Sequence, residues 1–543
     1  MKELKAGVDE VVDALRGRGF DYLGTVDGGW LRFAGGLNAD GGVHACQILI
    51  DPEFHDLPAI TLTTVPATLR PVAPHIADDG GICYLAKNSV VVDIFDPVGQ
   101  TLAFIVRAEF VLDKLLKHEM LEDMEEEFFA FWHGEICLTD FNDTVLGAQH
   151  AIWVGSGELK ALVACDNPEL TKAKLRVVGW KFSDSTVPVY RVKTQAKPKP
   201  SQTEWPPTTV AQLLYWQGSL DMACRKKLSE RIAQAKSKKA SEALLLIESP
   251  LLTYGVVVRF NEDQNGGEKN KANSALNEPY AAQVVPCSVT RIDDRYLVGR
   301  NMPGKKTLAG KQITLVGCGT IGGYLAEMLV KAGAGTGGGQ LTLIDNDKLM
   351  PNNLGRHRLG FAALFRNKAY ALSVELQFGL PSAKIRALQV DVRMANLAGQ
   401  DLIIDATGEE ALGHWLANRV KTLSPMLSVW VDGPGTAVRG LFWDKAATAC
   451  YRCLCQHTRE GRYQAVLGGA PSVMAGQGCE GMYVPFPASV SVQASSLGAE
   501  MALGWVNEKL EDKLQTRLLD KSLSLVTPDC TPEPHEKCPV CGS

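Results

Sequence analysis

Gln312-Ile313-Thr314-Leu315-Val316-Gly317-Cys318-Gly319-Thr320-Ile321-Gly322 runs a short strand-like stretch directly into G-x-G-x-x-G. Gln312 to Val316 reads as a buried strand. The residues that follow, with Tyr324, Leu325, Met328 and Leu329, read as a helix. Gly317, Gly319 and Gly322 let the chain turn tightly and bring helix N-terminal N–H groups against phosphate or ribose, where the helix dipole favours negative charge. By itself the turn implies a nucleotide and no more.

A second strand, Leu341 to Ile344, ends at Asp345, 23 residues after Gly322, which suits a carboxylate bonding ribose hydroxyls. Asn353-Leu354-Gly355-Arg356-His357 follows, and then Lys368 on the next helical segment. A dehydrogenase has no use for two such cations. Arg356 and Lys368 beside a nucleotide can clamp a triphosphate and stabilise charge during displacement at the α-phosphate.

These residues resemble the ThiF/MoeB-like adenylating enzymes and the activating enzymes of ubiquitin-like systems. The family pattern of glycine turn, D-x-D, N-x-x-R and lysine is present as Gly317 to Gly322, Asp345/Asp347, Asn353/Arg356 and Lys368. The resemblance implies a Rossmann-like α/β domain, ATP with Mg²⁺, and a homodimer in which Arg300 reaches the partner's ATP. One position departs from the pattern. Asp405-Ala406-Thr407-Gly408 has glycine where the family carries an acid, leaving Asp405, Glu409 or Asp347 for the magnesium side.

Around this core the chain is long, 543 residues, with 45% hydrophobic and 22% charged residues, room for three soluble domains. A net charge of −5 gives no basic field for nucleic acid or anionic membrane. The opening residues lack an apolar signal-peptide core and no 18-residue apolar run occurs, so a cytoplasmic location is expected. Fourteen cysteines there read as thiols, ligands or nucleophiles rather than disulfides.

Three blocks are expected. Residues 1–151 open with Leu4, Val8, Val11, Val12 and Leu15 at helical spacing. Strand-like runs follow at Trp30 to Phe33, Ala45 to Ile50 and Ala59 to Val65, then Cys83, then an Asp96-Pro97 helix start, an α+β layout. Residues 152–288, with one helix predicted over Val210 to Lys238 and a polar loop over Asn261 to Asn277, form a connecting domain without evident chemistry. Residues 289–543 hold the adenylation domain.

Cys450-x-x-Cys453 and Cys538-x-x-Cys541 are two hooks able to present four thiolates to one tetrahedral Zn²⁺. Their 85-residue separation is longer than in a free-standing zinc ribbon; a structural zinc on paired hooks is what the adenylating-enzyme resemblance implies. Cys479 lies in Gly476-Gln477-Gly478-Cys479-Glu480-Gly481, resembling the loop whose cysteine takes the acyl group in activating enzymes. Gly80-Gly81-Ile82-Cys83, with His75 eight residues upstream, resembles the catalytic segment of ubiquitin-conjugating enzymes, although proline and asparagine are absent after the histidine.

Together the blocks resemble the CD-NTase-associated transferases of CBASS antiphage systems. That resemblance implies adenylation of the C-terminal carboxylate of a protein, a cGAS-like nucleotidyltransferase. It further implies capture on Cys479, transfer to Cys83 and ligation to target lysines. A sulfur-carrier adenylyltransferase with a docking first block, or a non-catalytic scaffold, remains open from the sequence.

Overall fold

The computed structural model describes residues 2–86, 89–141, 149–201, 204–260, 282–444, 448–471, 473–476 and 483–541, with side chains from residue 7 onward. Two compact units emerge: residues 1–138, 146–164 and 183–290, and residues 139–145, 165–182 and 291–543.

The first unit opens with α1 (Lys2–Gly17) and an antiparallel sheet of β1 (Asp21–Thr25), β2 (Leu31–Ala39), β3 (Gly42–Ile50) and β4 (Ala59–Leu62), followed by α2 (Pro97–Leu116). Leu31, Phe33 and Leu37 alternate inward along β2 and meet Val11 and Leu15 of α1 and Ile105, Ala108 and Leu112 of α2 in one apolar core. Asp96 caps α2, accepting from the Gly99 N–H at 2.9 Å, and Pro97 occupies the first turn, as the Asp-Pro pair predicts.

Next come β5 (Glu135–Asp140), β6 (Gln149–Ser156), β7 (Leu159–Cys165), α3 (Pro168–Val177), β8 (Lys181–Lys193), α4 (Val210–Leu220), α5 (Met222–Ser237), β9 (Glu242–Glu248), β10 (Thr253–Arg259) and β11 (Gln283–Arg291). The seven strands close into a barrel, ordered β10-β11-β5-β7-β6-β8-β9. The single helix expected over Val210 to Lys238 is two helices. Asp221 is extended (φ −156°, ψ 106°), and its carboxylate caps the second by accepting from the Ala223 and Cys224 N–H groups at 2.8 and 3.1 Å. Phe128, Trp132, Trp205, Trp216 and Tyr254 stack into one aromatic cluster beneath these helices. The polar Asn261 to Asn277 stretch lies outside the described residues.

The second unit contains α6 (Asp294–Gly299), β12 (Gln312–Val316), α7 (Thr320–Lys331), β13 (Gln340–Ile344), α8 (Lys368–Gly379), β14 (Ile385–Leu388), β15 (Leu402–Asp405), α9 (Glu410–Val420), β16 (Met426–Asp432), β17 (Ala437–Trp443), α10 (Tyr451–Arg459), α11 (Ala488–Val506) and β18 (Leu514–Leu518). Its sheet order is β14-β13-β12-β15-β16-β17-β18, parallel through β16 and antiparallel beyond. Val316 pairs with Ile344 on one side and Asp405 on the other, so three strands end level. The chain winds outward from β12 to β14, then crosses to β15. That reversal opens a crevice beyond the strand ends, where α/β sheets bind ligands.

Within this unit Lys174 of α3 is buried, its Nζ 2.7 Å from Asp140 and 2.9 Å from Asp294. Gly317 is left-handed (φ +84°), and a Cβ on Gly322 would stand 1.8 Å from the Gly317 carbonyl oxygen. Only glycine lets α7 approach the turn so closely.

Gly322→Ala is expected to cost more than the ~1–3 kcal/mol usual for overpacking and to lower the melting temperature by several degrees. Gly319→Ala, whose Cβ meets nothing within 4 Å, should melt close to the parent protein in the same scan.

Candidate active site

The crevice is a cavity of about 810 Å³ that brings together Gly317, Gly319, Asp345, Asp347, Arg356 and Lys368, residues separated by up to 51 positions in sequence. The turn presents the N-terminus of α7, a 12-residue helix, to its floor. Asp345 immediately follows β13 and accepts from the Cys318 N–H (2.7 Å) and the Asp347 N–H (2.8 Å), so the acid is built into the turn it serves. Burial raises its pKa against those hydrogen bonds. Lys368 opens α8 behind the cap residue Asn367, and its Nζ lies 3.0 Å from Asp347 Oδ2.

Four residues of the sequence pattern stand apart from the cavity wall. Asn353 accepts from the Met350 N–H at 3.0 Å and shapes the 3₁₀ turn that carries Arg356. Arg300 is exposed at the end of α6, its guanidinium carbon 5.8 Å from the Tyr296 ring. Gly322 also lies outside the lining, and its contribution is the close packing described above. Asp405 ends β15 almost wholly buried, and its Oδ1 accepts from the Thr407 N–H (3.0 Å) and hydroxyl (2.7 Å). Burial pushes its pKa up to about 6.

The structure adds residues that the sequence reading passed over. His357 is buried, donates from Nε2 to the Cys318 carbonyl at 2.8 Å, and accepts at Nδ1 from the Leu359 N–H at 3.0 Å. Burial holds its pKa down to about 4, so it is a neutral clamp on the glycine turn. Asp391, Arg393 and Trp415 line the cavity from the loop after β14 and from α9. Nothing in their local sequence marks them, because a sheet edge gathers them from separate segments.

Arg356 donates to the Val484 carbonyl at 2.8 Å, and its guanidinium carbon lies 4.4 Å from the Phe486 ring centroid and 5.5 Å from that of Tyr483. Ala475 and Tyr483 exchange backbone hydrogen bonds of 2.8 and 2.9 Å. Cys479, expected between them, lies outside the described residues.

In the first unit Cys83 is exposed, and its N–H donates to the His75 carbonyl at 2.8 Å. Its Sγ lies 3.7 Å from the Leu85 carbonyl oxygen. His75 is left-handed (φ +60°). Its Nε2 lies 2.9 Å from Asp123 Oδ2, its backbone N–H donates to Glu127 Oε2 at 2.8 Å, and its Nδ1 sits 2.7 Å from Glu127 Oε1 without hydrogen-bond alignment. The imidazole is therefore committed to two carboxylates, and what His75 offers Cys83 is a backbone carbonyl. Glu127 raises the His75 pKa most, with Asp123 adding to it against burial. Burial first, and then the Glu127 charge, push the Cys83 thiol up. At rest the residue is a thiol rather than a thiolate.

Cys450, Cys453, Cys538 and Cys541 converge in the second unit, with sulfur separations of 3.7 Å (450 to 453), 3.7 Å (450 to 538), 3.1 Å (453 to 541) and 3.7 Å (450 to 541). Four thiolates on one tetrahedral metal with bonds of ~2.3 Å sit about 3.8 Å apart. Cys450 caps α10, and the His535 N–H donates to Cys453 Sγ at 3.3 Å. Without a cation the four cannot ionise together. The Cys450 thiol donates to Cys453 and holds its pKa down, while burial and the neighbouring Cys453 push the Cys541 thiol up. Such a donor set could hold a metal ion.

Comparison with known proteins fits these two sites. Residues 296–540 match the ThiF family, and residues 21–139 match the prokaryotic E2 family B. The chain is 51% identical to an ATP-dependent ubiquitin transferase-like protein Cap2 of Pseudomonas aeruginosa, over 99% of both chains. It is 26% identical to the Escherichia coli protein of that name over 92% of both. To the Vibrio cholerae one it is 27% identical over 74% of both.

Glu127→Gln removes the charge beside Cys83, so the pH profile of iodoacetamide alkylation at Cys83 should shift to lower pH; an unshifted profile removes Glu127 from the thiol's surroundings. His75 has a raised pKa, so its pairing contributes fully below the unfolded value of about 6.5 and is lost as pH rises through the folded value. The melting-temperature gap between parent and Glu127→Gln should accordingly narrow as pH rises above about 6.5.

Proposed function

The chain belongs to the family of ATP-dependent ubiquitin transferase-like proteins, and from that premise we propose that it activates the C-terminal carboxylate of a protein with ATP and conjugates it to a target amine. The observation that carries this reading is the single cavity lined by Gly317, Gly319, Asp345, Arg356 and Lys368. Backbone N–H groups, one ribose acid and two cations are a donor set for a triphosphate.

In the proposed sequence a carboxylate oxygen attacks the α-phosphorus, and the bond to the β-phosphate oxygen breaks, releasing pyrophosphate. Lys368 and Arg356 stabilise the charge on the non-bridging and leaving oxygens. Arg356 is then exchanged from the Val484 carbonyl to phosphate. The Cys479 sulfur, having lost its proton, attacks the acyl carbon and expels AMP. The Cys83 sulfur next displaces Cys479 from the acyl carbon, and a lysine amine displaces Cys83, losing a proton to give the amide. Each carrier divides one hard amide synthesis into exchanges between activated esters.

Magnesium, when bound, neutralises phosphate charge. The cleft carboxylates fit a hard cation with oxygen ligands. The four-cysteine site fits Zn²⁺ in a structural role, pinning α10 to the segment at residues 535–541. The substrate carboxylate is assigned to a cGAS-like nucleotidyltransferase in CBASS antiphage defence, on the resemblance of the whole chain. A homodimer through the adenylation domain, with Arg300 acting across it, is supported by the exposure of that side chain. A cytoplasmic location accords with there being no described helix long and apolar enough to cross a membrane.

Lys368→Ala is expected to abolish substrate-dependent ATP–pyrophosphate exchange, a loss of at least 10²-fold, while Cys83→Ala leaves exchange intact and stops amide formation. Equal loss in both variants would overturn the division of labour. Amide formation persisting in Cys83→Ala would favour an adenylyltransferase with a docking first block. Elemental analysis should find one zinc per chain, and Cys538→Ser should lose it and melt lower.

A further inference from the structure

Among the described residues four carboxylates line the nucleotide cavity, and three of them are engaged. Asp345 accepts backbone N–H groups at both oxygens. Asp347 pairs with Lys368. Asp391 is forked by the Arg393 guanidinium through both oxygens. Asp405 lies behind that lining, buried beneath Thr407, its charged form disfavoured by burial.

Glu409 differs. It is exposed into the cavity at the cap position of α9, and no hydrogen bond or ion pair to its carboxylate occurs among the described residues. Its N–H donates to the Thr407 hydroxyl at 3.2 Å, and Thr407 packs on Gly317, whose added Cβ would meet it at 2.9 Å. Glu409 thus lines the same crevice as the glycine turn, at the switch point of the sheet. Gly408, left-handed at φ +69°, offers no side chain there. The crevice supplies cationic and N–H donors for phosphate, and among the described residues Glu409 is its one carboxylate without a hydrogen bond or ion pair, an oxygen ligand of the kind a hard divalent cation favours.

We propose that Glu409 is the carboxylate that holds the divalent cation accompanying ATP. The assignment rests on the nucleotide reading of the cavity given above. It makes Glu409 a contact of the metal rather than of the substrate carboxylate.

Isothermal titration of the full-length protein with ATP, in magnesium and in EDTA, tests it. The parent protein should bind ATP more tightly in magnesium. Glu409→Gln should keep its EDTA affinity, which also reports a folded cavity, and lose about tenfold of the magnesium gain. Asp347→Asn, whatever its EDTA affinity, should retain that gain. Mn²⁺ with ATP should give an immobilised electron paramagnetic resonance signal in the parent protein, reduced in Glu409→Gln. A full magnesium gain in Glu409→Gln, or its loss in Asp347→Asn, overturns the assignment while leaving ATP binding standing. Absence of ATP binding in the parent protein under both conditions overturns the nucleotide reading and this assignment with it.

Discussion

The contact between Gly322 and the Gly317 carbonyl is the constraint on which the nucleotide unit depends. An added Cβ there would stand 1.8 Å from oxygen, so α7 reaches β12 only because both residues are glycine. That approach sets where the helix N-terminus points. It also places Cys318 so that its N–H meets Asp345 and its carbonyl meets His357. Three segments are thus locked to one turn by two backbone groups and one close approach.

Charge is distributed differently at the two candidate centres. In the crevice Arg356 holds a provisional partner, the Val484 carbonyl, that a phosphate could replace, while Lys368, with three N–H donors, can keep Asp347 and still reach phosphate. Desolvation is then partly offset before a ligand arrives. Around Cys83 the surroundings are acidic, and the histidine that local sequence places near the thiol is held between Asp123 and Glu127. An acidic setting keeps the thiol protonated at rest and would favour an approaching ammonium. These are opposite electrostatic settings, suited to a polyanion and to an amine.

The four clustered cysteines tie the start of α10 to residues 538–541, joining segments 85 positions apart in sequence. Buried thiols at 3.1–3.7 Å without a cation would be a concentrated cost, because one negative sulfur raises the pKa of its neighbours. A divalent ion relieves it. The same logic explains why the cluster sits against an apolar core that includes Leu416, Trp443 and Val540.

The sequence by itself determined the strand–turn–helix at Gly317, the acid at Asp345 and the Asp96-Pro97 helix start, because each rests on backbone conformation within a few residues. The paired hooks were equally legible as a donor set. Tertiary structure decided what spacing cannot carry. Asp221 divides a helix that periodicity joined, since its side chain finds two N–H groups only when the chain bends. His75 was close in sequence to Cys83, yet residues 48 and 52 positions further on claim its ring. Level strand ends at Val316, Ile344 and Asp405, and the reversal of strand order beside β12, gathered Asp391, Arg393, Trp415 and Glu409 around one cavity. Sheet register is set by long-range hydrogen bonding and burial, so the membership of that cavity exists only once the strands are paired.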